Sequence, residues 1–272
     1  MRTFISFLFI FLSVHAFSQP REATKHGFLI GERLEYHSVI LDEDRILNIY
    51  LPNGYSMDND KTYPVIYLLD GSKDEDFIHI AGLVQFASFS WINMIEESIV
   101  IGIENVDRKR DFCYPTTIEQ DKIDFPTTGG SEAFIQFIEK ELQPYVEKAY
   151  KVKDEKTIIG QSLGGLLATE ILAKKPDLFD KYIIVSPSLW WDHQSLLDLE
   201  FQSYTDKKSI CIAVGEEGKI MKRDAKALYK KLKKSDNPTE LLNFQFLKEQ
   251  DHGDALHLAV YHAFEAMKKV KD

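Results

Sequence analysis

The chain predicts the α/β class: a mostly parallel central sheet with helices on both faces, opened by an antiparallel hairpin. Three observations predict it. Apolar, β-branched runs recur at 65–69, 99–103, 158–159, 182–185 and 210–214, as expected for strands covered on both faces. Between them lie stretches with apolar residues at helical spacing, the alternation that builds parallel sheets. Several runs also stop at polar or glycine-containing clusters, Asp70-Gly71-Ser72, Gly160-Gln161-Ser162, Gly215-Glu216-Glu217 and Asp251-His252-Gly253. In open α/β sheets chemistry gathers at the carboxyl ends of the strands, so these clusters are expected to converge.

The first residues read as a leader. Met1-Arg2 precedes an apolar run from Phe4 to Val14 broken only by serines, and Ala16-Phe17-Ser18 stands before Gln19-Pro20. A positive start, a short apolar core and small residues at the minus-three and minus-one places predict a secretory signal peptide over 1–18, cleaved after Ser18. The run is too short to span a bilayer, and no cysteine stands at the cleavage point to carry a lipid. The expectation is an exported protein, periplasmic or secreted, with residues 19–272 forming a single α/β domain. The formal charge of the whole chain is −10. Loss of Arg2 makes it more negative still, which disfavours nucleic acid and anionic membrane as partners.

Beyond the leader, residues 33–51 alternate in two segments about Asp42-Glu43-Asp44, a hairpin pattern. Pro52-Asn53-Gly54-Tyr55 and Asp58-Asn59-Asp60-Lys61 form a loop before the continuous apolar run at 65–69, which belongs in the centre of the sheet. A helix is expected over 74–89, and a strand over 99–103. Residues 105–130 show little apolar periodicity and are expected as a long loop, a kind of connection that is often functional. Ser131 can cap the next helix, whose Phe134, Ile138, Leu142, Tyr145 and Val146 share a face, and Pro144 should kink or split it. After the strand at 182–185 comes Ser186-Pro187-Ser188-Leu189-Trp190-Trp191. The strand at 210–214 is followed by a helix marked by Met221, Ala225, Leu228, Tyr229 and Leu232. Phe244 and Phe246 alternate with Asn243 and Gln245 as an outer strand, and a last amphipathic helix carries Leu256, Val260, Ala263, Phe264 and Met267.

Gly160-Gln161-Ser162-Leu163-Gly164 is a G-x-S-x-G pattern, in which a serine sits on a sharp strand-to-helix turn with its hydroxyl above the sheet. The bare pattern is common, but its context is the required one. Ile158-Ile159 precede it, and Leu163, Leu166, Leu167 and Ile171 follow at helical spacing until Pro176. A β-carbon at Gly160 or Gly164 would crowd the backbone where strand and helix meet.

A serine needs a base, and imidazole is the usual one. Of the eight histidines, His15 leaves with the leader, and His26, His37, His79 and His193 precede or flank strands. His257 and His262 fall in the last helix. His252 alone occupies the loop after the last strand, where the order serine, acid, histidine places the base. The acid should follow the strand at 210–214, where Glu216 and Glu217 both stand, and Glu217 is preferred because it lies deeper in the turn. Asp192 and Asp198 are fallback acids, and a Ser-His dyad held by a backbone carbonyl is the other arrangement. Two amide donors for a developing oxyanion map to Leu163 and to Ser72, with Gly71 allowing close approach. The His and Cys spacings match no zinc pattern, so neither metal nor cofactor is expected. The two cysteines are expected as free thiols, Cys211 in a buried strand and Cys113 in a polar loop.

These stretches together resemble the putative esterase family of α/β hydrolases, which includes enterochelin (siderophore) esterases, feruloyl esterases, S-formylglutathione hydrolase and the mycolyltransferases. The resemblance covers most of the chain after the leader. Besides 160–165 it rests on 64–71, 105–111, 134–150, Ser186-Pro187-Ser188-Leu189-Trp190-Trp191 and Asp251-His252-Gly253, and it leans to the ferric-siderophore branch. It implies the α/β-hydrolase fold, Ser162 as nucleophile and His252 as base. In one respect the chain departs. In the enterochelin esterases the acid aligns three places after the strand-ending glycine, and that position here is Gly218, which leaves Glu216, Glu217 or a dyad. The resemblance further implies that Arg108 and Arg110 flank the cleft and meet an anionic acyl or catecholate group, with Trp190 and Trp191 lining it, although a solvated basic turn and plain aromatic packing account for the same residues. The expectation is an exported serine esterase working through an acyl-enzyme on a small-molecule or glycan-linked ester, first a siderophore-type one. The rivals are a carbohydrate-ester (acetyl or feruloyl) esterase, an acyltransferase, and a non-catalytic ligand-binding protein on a hydrolase scaffold.

Overall fold

Alternation of side chains across the sheet explains why the central runs of its inner strands are apolar without a break. In the computed structural model, which describes residues 23–271, Val65, Tyr67 and Leu69 face one apolar layer and Ile66 and Leu68 the other. Ile158 and Ile159 divide the same way, as do Tyr182 and Ile184 against Ile183 and Val185, and Ile210, Ile212 and Val214 against Cys211 and Ala213. Successive side chains point to opposite faces of a strand, so a strand with helices on both sides has no polar face. The expected leader, 1–18, lies outside the described residues.

The hairpin is β1 (Glu32–Ser38) and β2 (Glu43–Tyr50), paired antiparallel. The turn falls at 39–42 rather than on Asp42-Glu43-Asp44, because Glu43 pairs with Ser38. Glu141, far along the chain, fixes that turn by accepting from the amides of Val39 and Ile40 at 3.0 Å each. The remaining strands are β3 (Tyr63–Leu68), β4 (Ile99–Ile103), β5 (Val152–Gln161), β6 (Lys181–Val185), β7 (Lys208–Gly215) and β8 (Thr239–Leu247). All eight described strands join one sheet in the order β1-β2-β4-β3-β5-β6-β7-β8. From β3 to β8 every pairing is parallel, and β2 meets β4 antiparallel.

Helices cover both faces. α1 (Phe77–Ser88) and the last helix, which spans Ala255–Lys271, lie on one side. On the other are α2 (Arg108–Phe112), α4 (Ser131–Phe137), α5 (Gln143–Ala149), α6 (Leu163–Lys174) and α8 (Lys219–Lys234). The short α3 (Glu119–Asp124) and α7 (Ser195–Asp198) complete the set, so that the last helix is α9.

Two expectations need correction. Residues 105–130 are not an unstructured loop: they contain α2 and α3, and Asp111, Phe112, Cys113 and Tyr114 are buried. Asp107 caps α2 by accepting from the Arg110 amide at 3.1 Å, and the buried guanidinium of Arg45 pairs with Asp111 at 2.5 Å. Such long-range pairing leaves no periodic signal in the segment. Cys113 accordingly lies in the core and not in a polar loop; it and Cys211 are free thiols. Near Pro144 the helix is interrupted, as expected, and resumes as α5 with the proline in its first turn. A π turn at Ile138–Leu142 joins α4 to α5, and the Gln143 amide bonds the Ile138 carbonyl. The wider turn moves the chain off the register in which the proline ring would meet the carbonyl four residues back.

Candidate active site

The turn between β5 and α6 holds Ser162 at φ 60°, ψ −118°, a left-handed backbone that a non-glycine residue adopts only when its surroundings impose it. The surroundings are hydrogen bonds. The Ser162 amide donates to the Val185 carbonyl at 3.0 Å, and its own carbonyl accepts from Leu166 at 2.9 Å and Ser188 at 3.0 Å. A β-carbon on Gly160 would lie 2.4 Å from the Gly164 carbonyl oxygen, so only glycine fits there. At Gly164 an added β-carbon would instead meet side chains, Asp70 at 3.3 Å and Leu69 at 3.4 Å, and one on Gly165 would come 2.9 Å from the Val185 carbonyl oxygen. The Leu163 amide opens α6, where no carbonyl of the preceding turn can accept from it.

The β8–α9 loop carries His252 to the same end of the sheet. Its Nδ1 lies 2.6 Å from Glu217 Oε2, and its carbonyl accepts from the side-chain amide of Gln161, the residue before Ser162, at 2.5 Å. With Nδ1 donating to a carboxylate, Nε2 is left as the acceptor, the tautomer a general base needs. The Glu217 side chain is 3 % exposed and that of His252 48 %. The other Glu217 oxygen accepts from the Gly215 amide at 2.9 Å and from the Ser186 hydroxyl. Burial pushes the Glu217 carboxyl up, but the donors His252, Ser186 and Gly215 outweigh it and leave it below its ordinary value. The hydrogen bond that it donates to Glu217 raises His252 above the ordinary imidazole value, against burial and the nearby Arg108 charge. The Glu216 side chain is 58 % exposed, with Lys222 at 4.0 Å. Gly218, where the resemblance to enterochelin esterases would put the acid, has φ 89° and is a left-handed turn residue opening α8. The carboxylate that reaches His252 comes from one residue earlier.

The loop after β3 stands beside the elbow. Gly71 is pressed against β4, where an added β-carbon would sit 2.3 Å from Gly102 Cα, and its amide donates to Ile103 at 2.9 Å. Ser72 follows it, its carbonyl accepting from Glu75 and Phe77 as the chain enters α1. Asp70, at φ 56°, forms a two-pronged pair with Arg108, Nε to Oδ1 at 2.5 Å and Nη2 to Oδ2 at 2.9 Å. Asn105 adds a bond at 2.7 Å, and Arg108 Nη2 also reaches the Gln161 carbonyl at 3.3 Å.

The other candidates are spread more widely. Arg110 is committed to Glu43 and Asp111. Trp191 is 1 % exposed and donates to the Tyr114 carbonyl at 2.9 Å, so it packs beneath the loop, whereas Trp190 is 40 % exposed. Asp192 is buried and accepts from the Thr117 amide at 2.6 Å and from the Thr117 and Ser195 hydroxyls; Asp198 lies in α7. Three contributors escaped sequence reasoning: Ser186 on Glu217, Gln161 on His252, and Ser188, whose hydroxyl is 3.4 Å from Ser162 Oγ. Each is a strand-end polar residue, and that position was the available signal. Among the described residues no cluster of three or more His, Cys, Asp or Glu has metal-holding geometry.

Known proteins identify the family. The sequence model of the family described as "Putative esterase" matches residues 38–264. The ferri-bacillibactin esterase BesA of Bacillus subtilis is 34 % identical over 213 residues, 70 % of this chain and 74 % of that protein. Among solved structures, the BES protein from Bacillus cereus superposes with a TM-score of 0.77 at 24 % identity, covering 92 % of this chain and 98 % of that one. An IroE-like serine hydrolase from Shewanella oneidensis gives 0.71 at 27 % identity, covering 88 % and 79 %.

Proposed function

This chain belongs to the Putative esterase family, is an ester-cleaving enzyme of the α/β-hydrolase fold, and on that premise we propose a Ser162-His252-Glu217 site that works through an acyl-enzyme. The observation that carries the reading is the Glu217–His252 bond at 2.6 Å, held at the same end of the sheet as a serine on a strained turn. Glu217 fixes the imidazole tautomer; His252 Nε2 takes the Ser162 proton as Oγ attacks the ester carbonyl. The Leu163 and Ser72 amides receive the oxyanion. Collapse breaks the C–O bond, and the alcohol leaves with the proton from His252. Water, deprotonated by the same nitrogen, then attacks the acyl-enzyme and returns Ser162 to its starting state.

For substrate, we infer a siderophore-type ester, since a relative that matches 70 % of this chain is named for ferri-bacillibactin. Iron would arrive as part of that substrate. The expected leader adds the proposal of an exported enzyme, checked by N-terminal sequencing of protein recovered outside the cytoplasm, where a start at Gln19 is expected. A fluorophosphonate probe tests the catalytic reading directly: mass spectrometry should find the adduct on Ser162 and none on Ser162→Ala. A Ser162 that stays unlabelled while the fold is intact would favour a ligand-binding protein. Assay of a ferric siderophore beside acetylated and feruloylated xylan then tests the substrate, and faster turnover of the xylan esters would overturn it. Product partitioning toward an added alcohol would mark an acyltransferase.

A further inference from the structure

At the amino ends of the strands, on the side of the sheet opposite Ser162, lies an open cleft of about 810 Å³. The strand β3, six residues long and therefore about 20 Å, separates its Thr62 rim from Asp70. Over the cleft stands Trp91, 75 % exposed. Its ring is stacked on Phe89 with centroids 4.6 Å apart and planes at 17°, so one face is fixed and the other open. The loop that presents it is tightly bonded. The Phe89 carbonyl accepts from the amides of Ile92 and Asn93 at 2.8 and 2.7 Å, Met94 donates to Ala87 at 2.8 Å, and Lys268 of α9 donates to the Ile92 carbonyl at 2.8 Å. A large ring held rigidly in water over a concave surface is a preformed feature that no core packing requires.

We propose that this cleft is a second ligand site, for a neutral oligosaccharide, with Trp91 as the stacking platform. A pyranose presents a face of weakly positive C–H bonds, which suits the negative face of an aromatic ring. Its hydroxyls both donate and accept, and so do the amides and hydroxyls of Asn53, Gln85, Ser88 and Asn93 around the cleft. The charged groups there argue against an ionic ligand. Lys61 is paired with Glu97 and Lys153 with Glu96, and Asp60 adds an acid that a polyanion would have to face. A purely apolar ligand would strip water from the amides and hydroxyls without replacing their hydrogen bonds. The volume is in the range that takes a drug-sized ligand, which in sugar terms is a few rings. The inference stands independently of the catalytic reading, because neither the platform nor its rim belongs to the Ser162 site.

The test is isothermal titration of the whole protein with the neutral sugars xylohexaose, cellohexaose, mannohexaose and chitohexaose, and with hexagalacturonate as the charged comparison, repeated on Trp91→Ala and Trp91→Phe. Saturable binding of at least one neutral hexasaccharide is expected, weakened about tenfold by Trp91→Ala and largely kept by Trp91→Phe. Hydrolysis of a small p-nitrophenyl ester should be unchanged in both variants, which shows that they are folded. Binding should also survive when the nucleophile is blocked by the fluorophosphonate. Absence of binding to all four sugars, binding unaffected by Trp91→Ala, or preference for an oligogalacturonate would each overturn the proposal.

Discussion

Glu217 spends one carboxylate oxygen on the base and the other on the scaffold: Oε2 meets His252, while Oε1 takes the Gly215 amide and the Ser186 hydroxyl. A carboxylate with three donors has little freedom to turn, so the imidazole it holds is aimed as firmly as the backbone. Glu217→Gln keeps the size but can donate to Nδ1 and so favours the wrong tautomer. We predict a loss of about a hundredfold or more in kcat, against less than about twofold for the exposed Glu216→Gln. Comparable losses in the two variants would remove Glu217 from the role. The pH profile gives an independent reading. The base must be unprotonated, so the rate falls as pH drops through the His252 pKa, and the bond to Glu217 raises that pKa. The acid limb of kcat/KM in the parent enzyme is therefore expected above the ordinary histidine range, and Glu217→Gln should move it to lower pH while lowering the plateau. At this scale the sequence already placed Ser162, His252 and the pair Glu216-Glu217 at strand ends. It preferred Glu217 only for its depth in the turn, because adjacent turn residues differ mainly in where their backbone points them.

Between elements, Arg108 of α2 ties together the two turns that border the nucleophile. Its guanidinium grips Asp70 after β3 with two bonds and touches the Gln161 carbonyl before Ser162, so two of its donor nitrogens serve the fold before any substrate arrives. Lysine cannot reproduce a two-pronged pair. Arg108→Lys is therefore expected to lower kcat about tenfold or more even on p-nitrophenyl acetate, which has no anionic group for a cation to meet. If that ester is hydrolysed normally and only anionic substrates suffer, Arg108 acts on the substrate alone. A second tie is Asp192, which binds the loop before α3 through Thr117 and the start of α7 through Ser195. Burial raises its pKa, but these donors outweigh it and leave it below the ordinary value. Its stabilisation is thus present above the unfolded aspartate pKa and lost as pH falls through the lowered folded one. Asp192→Ala should cost about 2–4 kcal/mol at neutral pH, seen in urea unfolding, with the difference from the parent shrinking in acid. A gap that is constant with pH would rule out the charge as its source. Strands and long helices were legible from periodicity, which is a local property. The segment 105–130 was not, since Arg45–Asp111, Arg108–Asp70 and Asp192–Thr117 are set by residues distant in the chain.

Across the whole molecule, one sheet is shared by two apolar layers, and a cysteine lies in or beside each. Cys113 belongs to the layer with α4, α5, α6 and α8, and Cys211 to the layer with α1 and α9. Burial pushes both thiols up to about 12, so neither is a thiolate near neutrality, and neither is accessible to a reagent in the folded state. Because every strand from β3 to β7 contributes side chains to both layers, one layer cannot open without stripping the other face of the strands it leaves behind. The layers are therefore expected to unfold together. Native protein at pH 8 should resist iodoacetamide at both positions, and in rising urea the two should become alkylated with coincident midpoints, followed separately by peptide mass spectrometry. If Cys211 were labelled at clearly lower urea than Cys113, the α1–α9 layer would be a separate, weaker unit. The Trp91 loop, tied to α9 through Lys268, would then open with it, ahead of the layer that carries the nucleophile helix α6.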